Sequence, residues 1–364
     1  MPSVFDPIDL GDRTVRNRLW VPAMCQYSVF AGDGVPTDWH LVHLGSLATG
    51  RPGLIVTEAT AVSPEGRISP RDTGLWNDMQ QDAWHRITDF VASQGVLIGV
   101  QLAHAGRKAS TWPAWGFEER HGSVPEAEGG WTTFAPSALA FADDDVPVAL
   151  DPDGIEKVVE DFASAAVRAV DAGFGLIELH AAHGYLIHQF LSPLSNQRDD
   201  EYGGSLENRA RLLLRVIHAI RGRVGNAVAL MVRFSATDYT DGGWDEEQTA
   251  TVAGWASAAG ADFFDISSGG NVSGARIPLR PGYQVPFAEY VKREAEVPVA
   301  AVGLITSVTQ AAAIVESGQA DAVLLARESL RDPHFPLRAS SELEVDLDYW
   351  PPQYLRAKPR PAAS

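Results

Sequence analysis

The sequence predicts an α/β protein, a (β/α)8 TIM barrel built as a single domain over residues 1–364. Three observations predict it. Apolar, β-rich runs alternate with helical patterns along the whole chain, and near-continuous apolar strands separated by helices read as a parallel sheet covered by helices. About eight such units fit a chain of this length, which suits a closed barrel better than an open sheet. Finally, no G-x-G-x-x-G turn follows a strand. The nearest candidate, Gly173-Phe174-Gly175, precedes one, so the Rossmann alternative lacks its phosphate-binding turn.

In chain order, the first apolar run covers 18–24 and is followed by a helical pattern over 38–50. The second covers 53–61, with its helix over 78–94. The third covers 96–101, but its helix is delayed to 152–172. The fourth run, 175–180, precedes a helix over 205–223, which Ser205 can cap and the Gly203-Gly204 pair can turn into. The fifth and sixth, 228–234 and 262–267, precede helices over 246–259 and 287–295. The seventh, 299–303, and eighth, 321–327, precede helices over 307–317 and 333–343.

Two stretches fall outside this repeat. Residues 104–151 carry Trp112, Pro113, Trp115, Trp131 and Pro136 with an acidic run at 143–145. Long loops on the C-terminal face of a barrel usually carry function, and this one is expected to cap the mouth. Residues 344–364 form a tail with Tyr349, Trp350 and Tyr354. Aromatic residues there predict docking on this or a second subunit, with disorder over 357–364.

A net charge of −18 argues against a nucleic-acid or anionic-membrane surface. The single cysteine, Cys25, excludes an intramolecular disulfide and a cysteine-ligated iron–sulfur cluster. No apolar run is long enough to span a bilayer. The first residues lack a basic region followed by an apolar core, so the expected address is the cytoplasm.

Catalytic groups in such a barrel gather where the strands end. After the fourth run stands E-L-H-A-A-H-G-Y, residues 178–185. Polar, titratable groups crowd that strand end, where core packing alone would use apolar residues. The H-x-x-H spacing by itself leaves two chemistries open: metal ligation, with Glu178 on the same face as His180, or acid–base work. The last three strand ends supply Ser267, Ser268, Gly269, Gly303 and Arg327. Glycine, serine and a fixed positive charge suit a phosphate, and an arginine buried after an aliphatic run needs an anionic partner.

Longer motifs then become recognisable. They are P-A-M-C-Q-Y at 22–27, V-T-E-A-T at 56–60, P-E-G-R at 64–67, Q-L-A-H-A-G-R-K at 101–108 and H-A-A-H-G-Y-L-I-H-Q-F-L-S-P at 180–193. N-Q-R-D-D-E-Y-G-G-S-L-E-N-R at 196–209 and G-Y-Q-V-P-F-A at 282–288 continue the series. In this order, over nearly the whole chain, they resemble the old yellow enzyme family of FMN-dependent ene-reductases, in its bacterial thermophilic-like branch.

The resemblance implies non-covalent FMN, with NADPH, or NADH in its place, as reductant. Pro22, Ala23, Met24 and Cys25 would line the isoalloxazine beside Ala59. Gln101 would hydrogen-bond the pyrimidine edge, and Arg233 would set its charge near N1 and O2, where reduction deposits negative charge. Ser268, Gly269, Val302, Gly303, Ala326 and Arg327 would cradle ribityl and phosphate. Pro22-Ala23 stands where Ser-Pro is common in that branch, and Ala326 where glycine is common; both keep backbone contacts.

By the same resemblance, the substrate is an enone or related activated alkene. His180 and His183 would hold its carbonyl oxygen, flavin N5 would give hydride, and Tyr185 would protonate the α-carbon. Tyr27 would line the pocket. Arg356 would reach the site of a neighbouring subunit in a homodimer or homotetramer. Lys108, close to His104 and Arg107 in the loop after the third strand, is expected to support the site, whereas His188 and Gln189 are expected to serve packing or hydrogen bonds. The rival reading, from another class, is a metal-dependent TIM-barrel hydrolase using His180 and His183 as ligands; the expectation here is no metal. No nucleic-acid or membrane partner is expected.

Overall fold

The computed structural model describes residues 2–359. The chain opens with an antiparallel hairpin, Ile8–Leu10 against Arg13–Val15, that the sequence reading did not anticipate. Eight parallel strands follow: Leu19–Trp20, Leu54–Ala61, Leu97–Ala103, Leu176–Ala181, Ala229–Ser235, Phe263–Ser267, Val299–Ala301 and Ala322–Leu324. From the second to the eighth they neighbour one another in chain order, and the eighth pairs with the first through Val323 opposite Leu19. Backbone bonds also join the first strand to the second: Val21 N–H donates to Leu54, and Val56 N–H to Val21, both at 2.9 Å. The fold is α/β and of TIM-barrel type.

Helices Asp38–Thr49, Asp78–Ser93, Pro152–Asp171, Leu206–Val224, Glu246–Ala258, Val285–Ala295, Val308–Glu316 and Phe335–Glu342 follow the strands. Side-chain caps start several of them. Asn77, Asp151, Ser205, Asp245 and Ser307 each accept from the N–H three residues on, a contact worth about 1 kcal/mol. One apolar layer fills the space between strands and helices. A second fills the barrel, with Trp20, Leu54, Leu176, Met231 and Phe263. Leu10 and Val15 of the opening hairpin join that inner layer, so the hairpin floors the barrel where the strands begin. Each such buried side chain contributes roughly 1.5–3 kcal/mol.

Several boundaries differ from expectation for local reasons. The first strand stops before Pro22, which has no N–H to continue a ladder. The eighth ends at Leu324, and Arg327 opens a short helix, Arg327–Arg331, instead of ending the strand. A further short helix, Leu186–Leu191, follows the left-handed turn at His183 and Gly184 directly. The second strand shifts register against the third between Val56 and Ala59, and such an irregularity re-aims side chains.

Residues 104–151 hold two 3-10 turns, Gly106–Lys108 and Glu126–Glu128, and a small parallel ladder, Phe134–Ala135 with Val148–Ala149. Its tryptophans are tied to the barrel. Trp131 Nε1 donates to Glu65 O at 2.9 Å, and Trp115 Nε1 to Gln26 O at 3.2 Å. In the tail, Tyr349 lies under the Arg16 guanidinium and Tyr354 meets His334 edge to face. Lys358 Nζ donates to Leu347 O at 2.7 Å, so the expected disorder does not extend to Lys358. The rest of that expectation, 360–364, lies outside the described residues. Among the described residues, no helix is long and apolar enough to cross a membrane.

Candidate active site

The fourth strand delivers His180 inward at its end, opposite Arg233 on the fifth. The chain then turns through two left-handed residues, His183 at φ +58° and Gly184 at φ +74°. A non-glycine residue there costs on the order of 1–3 kcal/mol unless its surroundings impose it. Here they do. His183 N–H donates to Ser235 Oγ at 2.9 Å, Gly184 N–H to His188 Nδ1 at 3.0 Å, and Gln189 Nε2 to Gly184 O at 2.7 Å. His188 in turn faces Asp238 at 3.1 Å with both side chains fully buried. Burial alone would raise Asp238; bonds from His188, Ser192 and the Trp244 N–H outweigh it and hold the carboxyl down at about 2. His188 and Gln189, expected to serve packing or hydrogen bonds, make hydrogen bonds that shape the turn.

The turn sets three rings together. His180 and His183 stand perpendicular with centroids 5.2 Å apart, and His180 meets Tyr185 edge to face at 4.8 Å. His180 Nδ1 accepts from Ala182 N–H at 3.3 Å, which assigns its proton to Nε2. His183 Nε2 lies 2.8 Å from Ser267 Oγ, closer than Ser267 comes to Gln284 at 3.3 Å. Burial first, then the positive charge of Arg233, pushes both imidazoles well below their usual range. They are neutral donors at physiological pH. Burial likewise raises the Tyr185 phenol, so it stays protonated.

Tyr27, Cys25 and Tyr185 pack with Ala59 in one small apolar cluster. Tyr27 is also left-handed, at φ +50°, and burial raises its phenol too. This segment is pinned by Glu58, which the register shift places behind it. Gln26 N–H donates to Glu58 Oε2 at 2.9 Å, while His40 Nε2 lies 3.0 Å from Oε1. Burial raises the Cys25 thiol, which keeps it from forming a thiolate. Ala23 packs on the barrel interior, and Pro22 and Met24 line a small cavity of about 10 Å³ behind the strand, facing His40 and Trp84.

Inside the barrel, Ala59, Gln101 and Glu178 stand in register on adjacent strands. Gln101 Nε2 lies 2.5 Å from Glu178 Oε1, and Arg233 Nε 2.9 Å from Asp265 Oδ2. Burial raises both carboxyls, Glu178 further through the charge of Asp265, and Arg233 opposes both shifts. Glu178 Oε2 and both Asp265 oxygens lack a well-aligned protein donor. A fixed guanidinium thus sits over a buried acidic layer at the barrel mouth.

Arg233, Val302, Gly303, Ala326 and Arg327 line one cavity of about 180 Å³, together with Thr306 and Arg331. Gly303 has φ +124°, and a Cβ there would come within 3.0–3.2 Å of Tyr283 and Gln284 atoms, so the lining needs glycine. Ser268 and Gly269 sit beside this lining rather than in it. Ser268 Oγ donates to Gln284 Oε1 at 2.5 Å, and Gly269 N–H donates to Thr237 O at 2.8 Å. Arg327 is exposed at the rim, which corrects the expectation that it is buried. Reading it as the end of a strand caused that error. Tyr283 and Gln284 were missed as site residues, although the G-Y-Q-V-P-F-A motif contained them. Gln284 ties the strand ends together, its Nε2 donating to Val302 O at 3.1 Å.

Lys108 reaches the turn, with Nζ 2.9 Å from His183 O. Arg356, on the exposed 3-10 turn Pro352–Ala357, is not brought to these residues. No group of three or more His, Cys, Asp or Glu side chains among the described residues is placed to hold a metal ion. His180 and His183 instead bond to backbone and serine, which leaves the hydrolase alternative without support.

The turn also depends on backbone proximity. Gly270 has φ +91°, and a Cβ on it would stand 2.7 Å from His183 Cα. Gly270→Ala is expected to cost more than about 1 kcal/mol in chemical denaturation and to weaken phenol binding. A change within about 0.5 kcal/mol would show that the two backbones part easily.

A cavity lined by Arg233, Arg327 and Arg331, with His180 opposite Arg233 on the neighbouring strand, suits a phosphorylated aromatic cofactor, and comparison with known proteins agrees. Residues 3–346 match the profile of the NADH:flavin oxidoreductase / NADH oxidase family. An NADPH dehydrogenase of Bacillus velezensis is 45% identical over 356 residues, covering 98% of this chain and 99% of that protein. One from Geobacillus thermodenitrificans is 44% identical over 354 residues, covering 97% and 98%. Among solved structures, morphinone reductase superposes with TM-score 0.78 at 29% identity, covering 97% of this chain and 92% of that one. The old yellow enzyme homologue from Zymomonas mobilis gives 0.78 at 29% identity, covering 99% and 100%. The chain belongs to the NADH:flavin oxidoreductase / NADH oxidase family, the old yellow enzymes, and is an oxidoreductase whose cofactors are FMN and a reduced nicotinamide.

Proposed function

We propose that the protein reduces the activated C=C bond of α,β-unsaturated carbonyl compounds with NADPH. The observation that carries this reading is the pair of neutral histidines beside a protonated phenol, with rings 4.8–5.2 Å apart. When bound, the flavin supplies the hydride that reaches the β-carbon. The protein's residues do the rest. Arg233, Gln101 and the glycine-lined cavity would hold the cofactor, and Arg233 would stabilise negative charge at its pyrimidine edge. Arg327 and Arg331 would meet its phosphate, with Ser268 supporting the lining through Gln284 and Gly269 bonded beside it to Thr237. The backbone of Pro22 to Cys25, with Ala59, would form the wall against its ring, while the Pro22 and Met24 side chains line the cavity behind it beside His40 and Trp84.

The neutral His180 and His183 each have one ring N–H to offer the carbonyl oxygen, which would draw charge out of the alkene and stabilise the enolate. Tyr185 O–H then delivers a proton to the α-carbon. Tyr27 borders the substrate, and residues 104–151 cover the mouth. The exposed Arg356 is assigned to a neighbouring subunit's site in a homo-oligomer.

The test is optical. Purified protein is expected to show flavin absorption bands, bleached by NADPH without oxygen and restored by cyclohexenone. Bleaching without restoration by any activated alkene would leave the flavin chemistry standing and remove the substrate class.

A further inference from the structure

We propose that Lys108 is a positioning residue, whose ammonium binds the catalytic turn to the loop after the sixth strand and so holds Tyr185 over the substrate. This rests on the alkene-reducing role of the same site. Lys108 ends the 3-10 turn Gly106–Lys108. Its Nζ lies 2.9 Å from His183 O and 2.9 Å from Gly270 O. It also stands 4.4 Å from the ring centroid of Phe141 and 5.1 Å from that of Tyr185. Two donors go to carbonyls on two different loops, and the remaining charge faces two aromatic faces.

No carboxylate pairs with Lys108 at ion-pair distance among the described residues. A largely buried cation without a counter-ion is costly, so what it touches matters. The two carbonyls it joins belong to backbones too close for a Cβ: one on Gly184 would stand 2.4 Å from Gly270 O. Two carbonyl dipoles converging on one point repel unless a cation separates them. Charge-assisted bonds are roughly twice as strong as neutral ones. Gln189 already joins the same turn to the loop after the third strand, accepting from Arg107 N–H at 3.1 Å and donating to Ala105 O at 3.1 Å. That staple is neutral, so Lys108 is the part of the clamp that responds to pH.

Burial first, and then the Arg107 charge, pushes Lys108 down to about 8, with Asp144 opposing. Its other titratable neighbours are His180, His183 and Tyr185. The histidines are depressed and the phenol is raised, so none of them changes charge near that pH. Asp144, pushed up to about 6 by burial, titrates lower. The alkene half-reaction is therefore expected to slow as pH rises through about 8, without a matching limb in flavin reduction by NADPH.

The experiment is stopped-flow measurement of both half-reactions in the holoenzyme and in Lys108→Met and Lys108→Arg. Lys108→Met is expected to slow reoxidation by cyclohexenone about 10- to 100-fold at pH 7 and to lose the alkaline limb. Lys108→Arg keeps its charge and is expected to retain activity at pH 9. A Lys108→Met enzyme with wild-type reoxidation and the same limb overturns the proposal. Backbone hydrogen exchange over residues 182–186 gives a readout independent of substrate. Faster exchange in Lys108→Met supports the clamp; unchanged exchange overturns it. If wild-type enzyme bleaches with NADPH but reduces no alkene, the substrate assignment fails and the exchange result still decides the clamp. Should Lys108→Met not fold, the wild-type limb and its displacement in Lys108→Arg decide it.

Discussion

Tyr185→Phe is expected to slow reoxidation of the reduced enzyme by cyclohexenone about 10²- to 10⁴-fold, the range that a positioned general acid supplies. Reduction by NADPH should be unchanged. The substitution removes one oxygen and keeps the ring, so the edge-to-face contact with His180 at 4.8 Å survives. The packing against Ala59 and Ala103 survives as well. What disappears is a hydroxyl that burial holds in its protonated form. Stopped-flow traces of the separate half-reactions check this. Equal losses in both halves would mean that Tyr185 positions the cofactor rather than protonating the substrate.

Replacing His180 and His183 together by Ala should weaken binding of a phenol by about 100-fold or more, because two hydrogen bonds to a charged oxygen are worth about 1.5–3 kcal/mol each. Reoxidation by an enone should fall at least as far, since donors aimed at a developing oxyanion contribute about 10²–10³ in rate apiece. FMN should stay bound, because its cavity is lined by Arg233, Val302, Gly303 and Arg327 and not by the histidines. Titration of the flavin spectrum with a phenol, and filtration to detect released FMN, separate the two effects. Loss of FMN with retained phenol affinity would reverse the assignment. Both imidazoles are neutral well below pH 6.5, so phenol binding should show no acid limb from them between pH 6 and 8.

The barrel was legible because its signal is local. Each strand reads as a short apolar run and each helix as a periodic one, and most helix boundaries fall within two residues of expectation, as at Leu206–Val224 and Glu246–Ala258. The strand ends then identified where chemistry gathers, and His180, His183 and Tyr185 do come together. The floor hairpin escaped because Ile8–Leu10 and Arg13–Val15 are three residues each, too short for periodicity to show. Arg327 was misplaced because an aliphatic run ends before it without a breaker residue to mark the turn.

By itself, then, the sequence determined the architecture, the order of the strand ends, and the gathering of His180, His183 and Tyr185 after one strand, all carried by short-range pattern and by motifs. The tertiary structure decided what holds that trio in place. Lys108 bridges His183 and Gly270, Glu58 pins Gln26, and Gln284 joins Ser268 to Val302. These contacts join distant segments and depend on strand register, on a β-irregularity at Val56/Ala59 and on carbonyl directions in left-handed turns. None of these has a signature in residue type or spacing, because each is set by how non-local backbones approach one another.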